Sequence, residues 1–173
     1  MIKILMGHAV SIREERAIDH TAIHAVEAAA FGREAEAILV DALRELNEDF
    51  ISLVAAADGR VVGHICFCRL SLEQHEGLFS ALAPLAVLPS HQRQGIGSRL
   101  VSAGLDMCRE RNHDAVFVVG DPAYYARFGF TPARERGVRC EFDVPDAAFR
   151  VIELRGDRVK PGVLRYPHPF HRL

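Results

Sequence analysis

The chain has no tryptophan, and only two of its 173 residues are lysines, Lys3 and Lys160, against 19 arginines. Arginine is thus the default cation here, and any single arginine is weak evidence for a binding role. An excess of either charge is also missing. Lys+Arg 21 against Asp+Glu 23 leaves a net charge of -2, which argues against a nucleic-acid binder, a class marked by a basic stripe or surplus. No apolar run approaches the roughly 18 residues of a membrane span, so no membrane partner is expected. The N-terminal stretch MIKILMGHAVSIREE lacks a long apolar core and a small-residue cleavage site, so the expected location is cytoplasmic. Cys66, Cys68, Cys108 and Cys140 are too few for a disulfide framework in a chain this long, and none forms the CxxC pair of a zinc knuckle. Reduced, mostly buried thiols are expected. With 49% hydrophobic and 25% charged residues, the composition fits one ordinary core and a single domain over 1–173.

What is present alternates between two periods. Val10 to Arg13 alternates like an edge strand. From Asp19, a candidate N-cap, to Phe31 the residues Ala22, Ala25, Val26 and Ala29 recur at helical spacing, and Gly32 ends the run. A second helix over 34–46 places Ile38, Leu39, Ala42, Leu43 and Leu46 on one side. Phe50 to Ala57, Asp58-Gly59, and Val61 to Leu70 read as a hairpin. Phe79 to Leu88 reads as a central strand broken by Pro84, which cannot donate to a ladder and predicts a bulge or splay. A helix then runs to about Arg111 with Ile96, Leu100, Ala103, Gly104 and Met107 inward, followed by a buried strand over Ala115 to Val119. Asp121-Pro122 starts a short helix through Tyr124 and Tyr125. Strands are expected around Phe130 and from Phe149 to Leu154, and the proline-bearing tail is expected to lie extended over the surface. This order predicts an α/β mixed sheet with helices on both faces.

The most informative stretch runs from Leu85 to Leu100, where a buried strand feeds a loop whose Gly95 and Gly97 open a helix. Glycines there admit a ligand close to the backbone, and the first helical turn points unpaired N–H groups outward. With the helix dipole this suits an anion such as a pyrophosphate, and Arg93 and Arg99 could add charge. Neighbouring motifs fail on single residues. A P-loop needs a Gly-Lys pair, a dinucleotide fingerprint needs glycine where Leu100 stands, and Ser98 has no hydrolase elbow around it.

Gln92-x-x-Gly95-x-Gly97 after the strand Leu85-Ala86-Val87 resembles the cofactor motif of the GNAT superfamily, the Gcn5-related N-acetyltransferases. Asp121-Pro-Ala-Tyr-Tyr125-Ala-Arg-Phe-Gly129-Phe130 resembles that family's second motif, in which a tyrosine precedes Gly-Phe. The chain is also similar to a bacterial subgroup of small acetyltransferases at Ala29-Ala-Phe31-Gly32, Leu39 to Arg44, Val151 to Leu154 and Tyr166-Pro167. The resemblance implies a mixed, mostly antiparallel central sheet with a splayed central strand. It implies acetyl-CoA as cosubstrate and direct transfer of the acetyl group to an amine, with no metal. It maps the pantetheine arm onto Leu85, Ala86 and Val87, and the pyrophosphate onto Arg93, Gln94, Gly95, Ile96, Gly97 and Ser98, with Gln92 opening the motif. An N–H of the splayed strand would polarise the thioester carbonyl. Tyr125 takes the role of general acid towards the departing thiolate.

Many relatives carry a glutamate on the central strands as a base. Here neither Phe79 to Pro84 nor Ala115 to Val119 contains a carboxylate or histidine, so the base stays open among Glu27, His64, Glu141, Asp143 and water. His20 and His24, one turn apart, lack a third metal ligand and read as a solvated helix face, and His168 and His171 read as tail residues without chemistry. The acceptor, a small-molecule or protein amine, is not encoded in any motif. Two other readings stand beside the enzyme: a non-catalytic acyl-CoA-binding sensor, and transfer of a longer acyl chain. Relatives frequently dimerise, which leaves a homodimer open.

Overall fold

A computed structural model describes residues 9–46 and 49–173; the first part of the stretch read for a missing leader, 1–8, lies outside them. The alternating N-terminal segment forms the edge strand β1 (Val10–Glu14), antiparallel to β2 (Ile51–Ala57). Asp58 and Gly59, at φ 50° and 76°, turn β2 into β3 (Arg60–Leu72). β4 (His75–Val87) starts before the apolar run at Phe79, because polar His75 already pairs with Leu72 in a second hairpin. The sheet continues through β5 (Ala115–Val119), β8 (Phe149–Glu153) and the short β6 (Thr131–Pro132). β7 (Val138–Cys140) and β9 (Gly162–Arg165) complete it, and only β4–β5 and β7–β9 run parallel.

Alternation along β3 sorts the helices. Cys66, Cys68, Leu70 and Leu72 face α1 (His20–Phe31) and α2 (Ala35–Leu46), whereas Ile65 and Phe67 face α3 (Ile96–Glu110) and α4 (Pro122–Ala126).

Three expectations are corrected. The inward stripe of α1 is Ile23, Val26 and Glu27, while Ala25 and Ala29 are exposed; alanine is indifferent to side, so the branched Ile23 and Val26 set the rotation. On α2, Ala37, Leu39, Val40 and Leu43 face inward, whereas Ile38 is 59% and Leu46 39% exposed. Asp19 does not cap α1. It ends a 3₁₀ turn and grips Arg13 with both carboxylate oxygens (2.6 and 2.9 Å), which lowers its pKa.

The tail is also no surface extension. β2 accompanies β3 only to Phe67, and β9 takes the edge β2 leaves open, pairing Arg165 and Leu164 with Ser71 and Leu72. Val159, Leu164 and Phe170 thereby enter the core.

Candidate active site

The site starts from a disagreement between strands. β4 and β5 pair only from Phe79↔Ala115 to Ala81↔Phe117; beyond that, Val118 and Val119 pair with β8 alone. On its other side β4 stays bonded to β3, but with one extra residue between Leu82 and Leu85, the bulge expected at Pro84. The edge of β4 from Leu82 to Val87 therefore faces a wedge instead of a strand. Backbone groups left this way seek an extended partner.

On the α3 side the wedge continues into a cavity of about 510 Å³ lined by Leu85, Val87, His91, Gln92, Arg93, Gly95, Gly97, Ser98, Tyr124 and Arg127. Gly95 caps α3 at φ 80°, a conformation side chains resist, and Arg99 N–H makes the bond back to its carbonyl. The amides of Ile96, Gly97 and Ser98 have no acceptor one turn earlier and open towards the cavity floor. A Cβ on Gly97 would stand 2.9 Å from the Tyr124 hydroxyl, so only glycine keeps this floor clear. Gln92 and Gln94 spend their amides on the loop, donating to the carbonyls of Val87 (3.0 Å) and Ser90 (3.2 Å). Arg99 is tied to the Val10 carbonyl at 2.6 Å and is not a cavity cation. Arg127 is, stacked 4.5 Å from the Tyr124 ring centre and 3.5 Å from Ser98 Oγ. Sequence reading passed over it, although its place three residues after Tyr124, as the helical C-cap of α4, puts both on one face.

The two tyrosines separate. Asp121 Oδ1 accepts the Tyr124 N–H at 2.7 Å and starts α4, as expected. Tyr124 points to the glycine loop. Tyr125 turns the other way, and its ring covers Gly120, the residue after β5, so closely that a Cβ there would overlap it. It packs edge-on against Phe130 and is only 8% exposed. Burial, helped by Tyr124, pushes its phenol pKa up, so the group holds its proton. It lines neither the cavity at the glycine loop nor the one on the opposite face.

On the opposite face, the wedge opens into a second cavity, of about 520 Å³, formed by Ala81, Leu82, Ala83, Val119 and residues of the C-terminal third: Phe142, Val144, Tyr166, Phe170, His171 and Leu173. These were missed because no motif marks them; only the fold brings 142–144 and 166–173 together. His171 thereby gains a setting its place in the tail did not suggest. Its Nε2 lies 3.7 Å from Glu141 Oε1. Asp143 is exposed and lines neither cavity.

The other candidates form a buried chain. Glu27 Oε1 stands 2.5 Å from His64 Nδ1, His64 Nε2 lies 2.9 Å from Ser52 Oγ, and Ser52 donates to Glu15 at 2.5 Å, which Arg44 holds at 2.7 Å. Glu27 and His64 are fully buried, and desolvation raises the Glu27 pKa despite His64. Both are core groups, outside the two cavities. Both ring nitrogens of His24 are taken, at 2.8 Å each, by Asp41 and Glu34. All four thiols are free, and burial pushes Cys68 and Cys108 up to about 12, so they are poor nucleophiles.

Residues 11–130 match the family described as Acetyltransferase (GNAT) family. The chain is 37% identical over 165 residues to the uncharacterized N-acetyltransferase YhbS of Escherichia coli strain K12, covering 94% of this chain and 99% of the relative. The crystal structure of the Escherichia coli GNAT family N-acetyltransferase YhbS in complex with CoA superposes with a TM-score of 0.91 at 36% identity, over 96% of this chain and 94% of that one. A GNAT family acetyltransferase from Brucella melitensis, in complex with acetyl-CoA, gives 0.81 at 33% identity, over 94% and 99%.

Proposed function

The chain belongs to the GNAT family of acetyltransferases, and from that premise we propose that it moves an acetyl group from acetyl-CoA directly to an amine. The observation that carries this reading is the wedge between β4 and β5, with a glycine-floored cavity on one face and a separate cavity on the other. In this reading the thioester lies along the wedge from one side and the amine approaches from the other.

The residues fit the cofactor. The unpaired edge Leu85 to Val87 offers backbone groups to the pantetheine amides as a strand would. The amides from Arg93 to Ser98, at the start of α3, suit the pyrophosphate, with Arg127 as an added cation. An N–H of the same β4 edge polarises the thioester carbonyl. The amine nitrogen bonds to the acetyl carbon, the carbon–sulfur bond breaks, and the sulfur takes the Tyr125 proton. The proton lost by the amine leaves through His171, the imidazole in the opposite cavity, or through water.

The test is thiol release from acetyl-CoA across a panel of amines, with acetyl-CoA binding measured alongside. Turnover with at least one amine is expected; binding without any turnover would instead support a sensor module. Gly97→Val should weaken CoA binding at least about tenfold in calorimetry while the protein stays folded, because the side chain fills the floor below Tyr124. Arg93→Ala should weaken it only a few-fold, an effect that shrinks as salt is raised. Intact mass after incubation with acetyl-CoA should not change, since no thiol is activated; a stoichiometric acetyl adduct abolished by a cysteine variant would replace direct transfer with a covalent route.

A further inference from the structure

We infer that the acceptor is an arylalkylamine: a primary amine on an aromatic body, carrying no second charge. This rests on the acetyltransferase reading above and deepens it. The wall of the acceptor-side cavity is an unbroken row of rings. Phe170 packs on Tyr166 with centroids 5.0 Å apart, Tyr166 on Phe142 at 5.3 Å, and Phe142 on His171 at 5.1 Å. Ala81, Leu82, Ala83, Val119, Val144 and Leu173 supply the rest of the lining, so an aromatic substrate meets rings and aliphatic groups.

Charge excludes the alternatives. No aspartate, glutamate, lysine or arginine side chain lines this cavity, and of its lining side chains only Tyr166 and His171 ionise. Glu141, next to the lining residue Phe142, is engaged behind the wall: it accepts the Tyr166 backbone N–H, lies 3.4 Å from Arg165 Nη1, and stands 3.7 Å from His171. The Tyr166 phenol is turned towards the Cys140 thiol. A polyamine would have to desolvate further ammonium groups with nothing to pair them, and a free amino acid would bring a carboxylate that meets no cation. An apolar cavity also disfavours the ammonium form of a single amine and so delivers the neutral nucleophile, which accounts for a site without a base on its central strands. Phe170 and Leu173 form part of the lining, and Pro169, Arg172 and Leu173 also share a pocket with Ala35, Ile38, Leu39 and Ala42 of α2.

The experiment compares phenethylamine and tryptamine with spermidine, free phenylalanine and a lysine-containing peptide, in the full chain and in Val144→Trp, which fills the cavity from a loop. The arylalkylamines should be acetylated with kcat/KM at least about tenfold above the others. Val144→Trp should raise their KM about tenfold while acetyl-CoA affinity stays within about twofold. In parallel, saturation-transfer NMR with CoA present should detect phenethylamine bound to the wild type and lost in Val144→Trp. Preference for spermidine, phenylalanine or the peptide would overturn the inference and leave the acetyltransferase reading standing, as would an unchanged KM in Val144→Trp. If no amine is acetylated, the acetyltransferase reading fails on its own, and the NMR arm still decides the cavity: absence of phenethylamine binding overturns the inference.

Discussion

Replacing Tyr125 by phenylalanine should lower kcat by about 10²–10⁴-fold, the usual contribution of a positioned general acid, while acetyl-CoA affinity changes little. The substitution removes one oxygen from a ring that otherwise keeps its contacts with Gly120 and Phe130, so folding is preserved. The ring packs on Gly120, where β5 ends, and its burial keeps the phenol protonated at neutral pH, the state a general acid needs. Tyr124→Phe separates the roles. Its hydroxyl faces Gly97 and the phosphate end, so that change should weaken CoA binding a few-fold and leave the chemical step nearly intact. Single-turnover kinetics with a good acceptor distinguish the two. Near-normal single-turnover rates in Tyr125→Phe would make Tyr125 a packing residue.

The second large effect is on stability. His64→Ala should destabilise the protein by about 3–5 kcal/mol in denaturant unfolding, because it strips Glu27 of its one side-chain hydrogen-bond partner among the described residues. Glu27→Gln should behave differently. Burial raises the folded-state pKa of Glu27 above its ordinary carboxyl value of 4.5. A raised carboxyl pKa means that its contribution to stability is complete below the unfolded value and is lost as pH rises through the folded one. The glutamine variant lacks that loss. It should therefore gain on the wild type as pH is increased above the ordinary carboxyl range towards neutrality and beyond. Parallel melting curves for the two proteins across that range would show Glu27 ionised without cost.

These residues also mark how far the chain could be read before it was folded. The strand-loop-helix from Leu85 to Leu100 and the Asp121-Pro122 start of α4 were legible because turn chemistry, caps and glycine positions act within a few residues. The bulge at Pro84 was legible for the same reason: a missing N–H is local. The outward turn of Ile38 and the burial of Glu27 were not, since an amphipathic period gives a stripe but not which edge of it meets the sheet.

By itself, the sequence determined the order of elements, the place of the glycine loop that opens α3 and the pair of tyrosines. Each depends on residue types at fixed short spacing. Only the tertiary structure decided that Tyr124 lines the glycine-loop cavity while Tyr125 packs on Gly120 and Phe130, that Arg99 is a tie to β1 while Arg127 faces the cavity, and that the tail returns to the sheet. The acceptor cavity belongs wholly to this second group. Its walls come from β4, β5, the 142–144 loop and 166–173, joined because β9 fills the edge that β2 leaves on β3 and carries Tyr166, Phe170 and His171 into place. Contacts between residues some eighty positions apart are set by which edges and faces remain unburied once the local elements have formed, and no local pattern encodes that.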